Sequence, residues 1–300
     1  MTQSMASPLL PLALAAFVLS FFAGCAASAP MPSSSNTPIV AGHGVGTFEV
    51  GELLYATDFS DTENWTLQID AAQDSQLKPR VLADNGMLDI YAPQAGVTGW
   101  LNRSFSGPIA ITYRVRCPLE TQGDPGIQAR DINNFWHATD PTRERGVFEA
   151  QQYTGSFRNY SEMRAYYASS GGGGKIGNRT TRFRRYPRAV AGQPVPHLAL
   201  TSQDGNPDHL ITPGKWHTVQ LVAYNGLAQY LLDGEVVYEI HEGDEVIVEG
   251  VEGDDPRNRA VTYTREAFPP HTSGHFGLRM VATHHQYTDL TIHRLVPAGR

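Results

Sequence analysis

Trp216-His217-Thr218-Val219-Gln220-Leu221-Val222-Ala223-Tyr224, followed by Asn225-Gly226, Leu227-Ala228-Gln229-Tyr230-Leu231-Leu232, Asp233-Gly234 and Val236-Val237-Tyr238, is the stretch that decides the fold. Its runs of β-branched, aromatic and aliphatic residues read as strands. Asn-Gly and Asp-Gly tolerate the left-handed backbone that a two-residue hairpin turn requires. Two hairpins in succession make a three-stranded antiparallel meander, with Trp216 turned towards the core.

The same grammar continues in both directions. Met87-Leu88-Asp89-Ile90-Tyr91 follows a turn at Asn85-Gly86, and Trp100–Phe105 and Ile109–Arg116 are split by Ser106-Gly107-Pro108. In the latter strand Tyr113 and Val115 face one way, Thr112 and Arg114 the other. Leu54–Phe59, a turn at Ser60-Asp61 and the core aromatic Trp65 open the domain, and His275–Met280 and Tyr287–Leu295 close it. Helical periodicity is almost absent. The expected fold is therefore all-β, an antiparallel two-sheet β-sandwich. Three stretches break the pattern: Gly171–Gly174 reads as a flexible tip, and Gln122–Gly146 and Glu242–Pro270 as long loops, which in such a fold line a face or rim and carry function.

Ahead of the sandwich, Pro8–Ala23 is apolar and small and ends in Phe22-Ala23-Gly24-Cys25. This is the core and cleavage region of an export signal, too short for a lasting membrane helix. Gly24-Cys25 resembles a bacterial lipoprotein processing site, which implies residues 1–24 as signal peptide, lipidation at Cys25 and, from Ala26, sorting to the outer membrane; ordinary secretion is the alternative. Residues 25–45, rich in Ser, Pro and Ala, read as a flexible tether, and 46–297 as a single domain. The chain has two cysteines, so lipidated Cys25 leaves Cys117 without a disulfide partner. A net charge of −7 argues against a nucleic-acid partner. A monomer is expected.

The chemistry-bearing residues gather in a few places. In Asn178-Arg179-Thr180-Thr181-Arg182-Phe183-Arg184-Arg185-Tyr186, strand alternation puts Arg182, Arg184 and Tyr186 on one face. Guanidinium forks suit carboxylate or phosphate, and a neighbouring phenol can carry a proton. Asn133–Asp140 combines the Asn134 amide, the Trp136 ring and the His137 imidazole. Tyr166 and Tyr167 lie on a strand with Arg164 in phase with Tyr166, and His209 lies in a loop rich in Asp and Asn. His275, His284 and His285 have no recognised zinc spacing.

The opening Leu54–Trp65, Asn133–Pro141, Tyr166-Tyr167, Thr180–Tyr186, Asp208-His209-Leu210 and Trp216-His217 together resemble the concanavalin-like (laminin-G-like) jelly rolls of bacterial polysaccharide utilisation. They are similar in particular to an exported group described only as a domain of unknown function. The resemblance spans about Phe48–Leu295. It implies a jelly roll related to polysaccharide lyases, retaining glycosidases and non-catalytic binding modules. The glycosidase signature, two glutamates flanking an aspartate on a strand, is missing here, and Glu239–Glu242 lies off that pattern.

β-Elimination on a uronic acid needs a neutralised carboxylate, a base and an acid. The leading expectation is therefore a polysaccharide lyase acting on an acidic polysaccharide or oligosaccharide. Arg184, Tyr186, His137 and Asn134 would be catalytic; Arg182, Trp136, Tyr166, Tyr167, His209 and Arg164 would bind substrate. The alternatives are a jelly-roll glycoside hydrolase and a non-catalytic carbohydrate-binding lipoprotein. No cofactor is required; a structural Ca2+ would use backbone oxygens and Asp near the N-terminal strand.

Overall fold

A computed structural model describes residues 36–70, 76–174, 176–191, 193–194, 197–200, 207–249 and 259–299. The export segment, Cys25 and the first part of the expected tether lie outside the described residues. The described residues belong to one compact unit.

The described residues form seventeen strands, in chain order: β1 (Phe48–Thr57), β2 (Trp65–Ile69), β3 (Arg80–Asp84), β4 (Met87–Ser106), β5 (Ile109–Arg116), β6 (Ile132–Thr139), β7 (Arg164–Gly172), β8 (Thr180–Arg185), β9 (Ala189–Val190), β10 (Gln193–Pro194), β11 (His197–Leu200), β12 (His217–Tyr224), β13 (Leu227–Leu232), β14 (Glu235–Ile240), β15 (Glu245–Glu249), β16 (Arg259–Thr262) and β17 (Ser273–Pro297). Apart from the small β9–β10 hairpin they pair antiparallel in one continuous network. The meander is β12–β13–β14, with left-handed Asn225 and Asp233 in its turns.

Two long strands fold this network into two layers. In β4 the Pro93-Gln94-Ala95 step, with Gln94 left-handed, falls opposite the bulge at Ala282 of β17. Bulges bend a strand sharply enough to carry it from one sheet to the other. The front layer is β2, the second half of β4, the first half of β17, then β6, β7, β8, β11, β15 and β16. The back layer is β3, the first half of β4, the second half of β17, then β1, β5, β12, β13 and β14. The sequence divides β4 and β17 into two strands each because Pro93, Gly96 and Ala282 mark bends that look like ends. The expected loops at 122–146 and 242–270 likewise contain β6, β15 and β16.

The main core lies between the layers. Trp136, Tyr166, Phe183, Leu278 and Met280 of the front meet Ile111, Tyr113, Leu221, Tyr230 and Ile292 of the back. Each such side chain contributes about 1.5–3 kcal/mol when fully buried. Three polar pairs span this core: Ser170 Oγ with the Tyr230 hydroxyl at 2.8 Å, Thr181 Oγ1 with the Tyr238 hydroxyl at 2.6 Å, and the Tyr113 hydroxyl, which donates to Asn134 Oδ1.

Residues 36–45, expected to end the tether, lie against the back layer. Gln220 accepts from the Ile39 backbone N–H at 2.8 Å and donates to its carbonyl at 2.9 Å, and Gln229 donates to the Ala41 carbonyl at 3.0 Å. Trp216, expected in the core, is half-buried on the outside, with the guanidinium carbons of Arg114 and Arg116 at 5.1 and 5.0 Å from its ring centre.

Candidate functional site

The outer face of the front layer carries a second buried cluster built from Trp100, Phe135, Tyr153, Tyr160, Tyr167 and Tyr186. Strand register arranges this face in two rows. Pairing sets Trp100, Gly277, Phe135, Tyr167 and Arg184 side by side across β4, β17, β6, β7 and β8. Two residues along lie Gln68 of β2, then Thr98, Arg279, Asn133, Ser169 and Arg182. One row is mostly aromatic and the other wholly polar, and neither holds a carboxylate.

Gly277 makes the aromatic row possible. A Cβ there would meet the Trp100 ring at 2.6 Å, so only glycine lets the indole lie across β17. The indole then stacks on Phe135 at 5.8 Å. Phe135 meets Tyr167 at 5.2 Å and Tyr186 edge-on at 5.8 Å, and the Arg184 guanidinium lies 5.8 Å from the Tyr167 ring centre.

Residues 140–163 cover one end of this face. Gln68 holds the cover: its Oε1 accepts from Trp100 Nε1 at 2.9 Å and from the Tyr160 hydroxyl at 2.7 Å, and its Nε2 donates to the Val147 carbonyl at 2.9 Å. Asp140 anchors the segment's start, accepting from the Thr142 backbone N–H at 2.9 Å and the Tyr153 hydroxyl at 2.6 Å, with Arg143 at 3.1 Å. Burial works against the Asp140 charge, but those hydrogen bonds outweigh it and hold the carboxyl below its ordinary range. Phe157 of the cover meets the Arg279 guanidinium at 4.5 Å from its ring centre.

Several polar atoms of this face have no partner among the described residues. Asn133 Oδ1, Arg184 Nε, Tyr186 Oη and Arg279 Nε are buried and unbonded. Buried polar atoms are ordinarily paired, so a cluster of unpaired ones on one surface marks a place where something else supplies the bonds. At the margin Asp131 pairs with Arg130 at 2.9 Å; burial raises its pKa, and Arg130 and Arg279 counter that shift. The Tyr167 phenol is pushed up to about 12, first by burial and then by Tyr186.

The residues expected to form one site divide into several places. Arg182, Arg184, Tyr186 and Tyr167 share the front face. Asn134, Trp136 and Tyr166 point inward and belong to the sandwich interior, because β6 and β7 bury both faces and alternation sends these three to the inner one. His137, in a left-handed conformation (φ +48°), sits at the end of β6 beside a cavity of about 90 Å³ lined also by Tyr166, Tyr224 and His271. Burial, then Arg294, lowers its pKa to about 4. Arg164 is exposed at the start of β7, and His209 lies in a short 3-10 turn 3.9 Å from Glu235. Gln68, Asn133, Ser169 and Arg279 were not singled out from sequence. Strand alternation alone gives Asn133 and Arg279 no distinction; the distant pairings that align them do. Among the described residues, no group of three or more His, Cys, Asp or Glu side chains is arranged to hold a metal ion.

Residues 91–253, more than half of the chain, match the family model described as "Domain of unknown function (DUF6250)". The chain belongs to this family. Among curated proteins, none matches the chain. A Bacillus subtilis protein of unknown function with a galectin-like fold is similar in structure at a TM-score of 0.56 and 16% identity, covering 84% of this DUF6250 chain and 100% of its own. The carbohydrate-binding module CBM66 of Bacillus subtilis (TM-score 0.41, 11% identity, 77% and 95% covered) and the endo-beta-1,3-glucanase of Pyrococcus furiosus (0.47, 11%, 84% and 99%) are more remote. At these identities the likeness is one of fold.

The lyase expectation is corrected by where its residues lie. The expected acid and base do not converge: Asn134 is bonded to Tyr113 inside the sandwich, and His137 is at the end cavity rather than opposite Arg184 and Tyr186. The Tyr167 phenol on the front face, pushed up to about 12, is a poor base at neutral pH.

Proposed function

We propose that this protein is a non-catalytic carbohydrate-binding module whose front face holds an acidic glycan. The observation that carries the reading is the pair of rows on that face: a polar row with unpaired amide and guanidinium atoms beside an aromatic row, and no carboxylate in either. Amide, hydroxyl and guanidinium groups supply hydrogen bonds to sugar hydroxyls, and a few placed polar groups against an apolar wall are the usual make-up of such a site. The charged members of the rows are Arg182, Arg184 and Arg279, which favour a glycan bearing carboxylate groups. Hydrolysis by the two-carboxylate route needs an acid and a base or nucleophile roughly 5–9.5 Å apart across the sugar, and the rows offer neither. The fold it shares with carbohydrate-binding and glucan-cleaving proteins is compatible with this role. Export and lipidation at Cys25, proposed from the sequence, would present the face to glycans outside the cytoplasm.

Affinity electrophoresis against a panel of uronate-containing and neutral polysaccharides tests the reading, with reducing ends measured in parallel. The expected result is retardation by a uronate polymer without new reducing ends. Release of ends would establish a hydrolase, and no retardation by any polymer would reject glycan binding.

A further inference from the structure

His137 forms part of the wall of the end cavity, only 1% exposed, and neither of its ring nitrogens has a partner among the described residues. Its neighbours in that wall are engaged. The His271 backbone N–H donates to the Tyr166 hydroxyl at 3.3 Å. The His271 Nε2 lies 3.2 Å from the Tyr186 carbonyl, which can only accept, so that nitrogen carries the hydrogen and donates it. Leaving a buried imidazole unbonded costs stability, so an open one on a cavity wall marks a place for a ligand.

The fold holds His137 there against its backbone preference. Its φ of +48° is left-handed, which is uncommon for a residue with a Cβ. The residue sits in a bulge: β6 slips in register against β7 between Trp136 and Thr139, and against β17 between His275 and Gly277. Gly274 closes over this bulge, where a Cβ would come within 2.5 Å of the His137 carbonyl carbon.

The chemistry of the wall narrows the ligand. No Asp, Glu, Lys or Arg lines the cavity. Burial, then Arg294, keeps the His137 ring neutral at pH 7, and the same Arg294 charge disfavours a cation. Pro108, Ala223, Leu227 and Pro270 supply apolar surface, while a neutral imidazole offers a donor and an acceptor. The cavity volume of about 90 Å³ is about three waters' share of liquid, room for a group of about four heavy atoms. Exposed Asn225 and Thr272 mark its mouth. An acetamido group fits this description: it is small and neutral, with a carbonyl acceptor, an N–H donor and a methyl.

We propose that the end cavity binds the acetamido group of an N-acetylated amino sugar, with His137 as its hydrogen-bonding residue and the sugar ring at the mouth. The wall carries none of the front-face arginines, and the site does not rest on the reading proposed for that face.

The test is calorimetric titration and saturation-transfer NMR of the full chain with the methyl glycosides of N-acetylglucosamine and of glucose. Saturable binding of the N-acetylglucosaminide is expected, at least about tenfold tighter than that of the glucoside, with the strongest transfer to the acetyl methyl. His137→Phe keeps a ring without donor or acceptor and should weaken binding at least about tenfold. His137→Asn, which tolerates the left-handed backbone but is too short to replace the imidazole, should weaken it similarly and guards against a misfolded His137→Phe. Absence of saturable binding, equal affinity for the two glycosides, or parent-like affinity in either folded variant overturns the proposal. Probe bound at the front face would survive both substitutions and so counts against it. Failure of uronate binding at the front face leaves it standing, because the probe carries no carboxylate.

Discussion

The inner and outer faces of β6 and β7 are both buried, both rich in aromatics and both studded with polar groups, yet they end differently. On the inner face Asn134 pairs with Tyr113, Ser170 with Tyr230 and Thr181 with Tyr238 in the opposite layer, and the Trp136 indole N–H is the exception among the residues named, left without a partner. On the outer face Asn133, Arg184 and Tyr186 keep unpaired atoms under a cover fastened elsewhere by Gln68. Adjacent residues such as Asn133 and Asn134 thus do opposite things. A polar group satisfied inside a core specifies the fold; one left open on a covered face is available to a ligand.

The largest effect that would sharpen this contrast is on the inner face. Trp136→Ala should cost about 3–5 kcal/mol of stability, because the cavity it leaves lies between two rigid sheets. Urea unfolding measures it, and a loss below about 1 kcal/mol would place Trp136 outside the core. Next comes Gly277→Ala on the outer face. The new methyl would displace the Trp100 ring, costing about 1–3 kcal/mol as overpacking does and loosening the 140–163 cover. Hydrogen exchange at Val147–Tyr160 should rise in this variant more than in the core strands.

A matched pair then sets neighbours against each other. Asn134→Ala strips the Tyr113 hydroxyl of its acceptor and should cost about 1–3 kcal/mol, whereas Asn133→Ala should change stability by less than about 0.5 kcal/mol. Equal costs would mean that the two faces do not differ. The smallest effect concerns acid. Because the folded pKa of Asp140 is lowered, its contribution is fully present above the unfolded value of about 4 and is lost as the pH falls through the folded value. Stability followed from pH 6 to pH 2 should fall less steeply in Asp140→Asn than in the parent.

Much of the fold was legible in the sequence because its signals are local. Asn225-Gly226 and Asp233-Gly234 announce their turns whatever surrounds them, and alternation in 182–186 does send Arg182, Arg184 and Tyr186 to one face. What stayed hidden depends on pairing between distant segments. Arg279 is 146 positions from Asn133 (279 − 133), and only the β17–β6 register makes them neighbours. The same limit explains why Asn134 and His137 looked like partners of Arg184. Alternation separates two faces, but it does not say which face closes against a second sheet. Gln68 carried no signal at all, since its three bonds reach β4 and the distant 140–163 segment.

The glycan-binding claim is tested most directly by titrating a uronate-containing oligosaccharide into the parent, Arg184→Ala, Asn133→Ala and Asn134→Ala proteins and comparing affinities of the folded fractions. The account predicts that both outer-face variants bind at least about tenfold more weakly, a change of about 1.4 kcal/mol, while Asn134→Ala binds as the parent does. Parent-like affinity in both outer-face variants would contradict it.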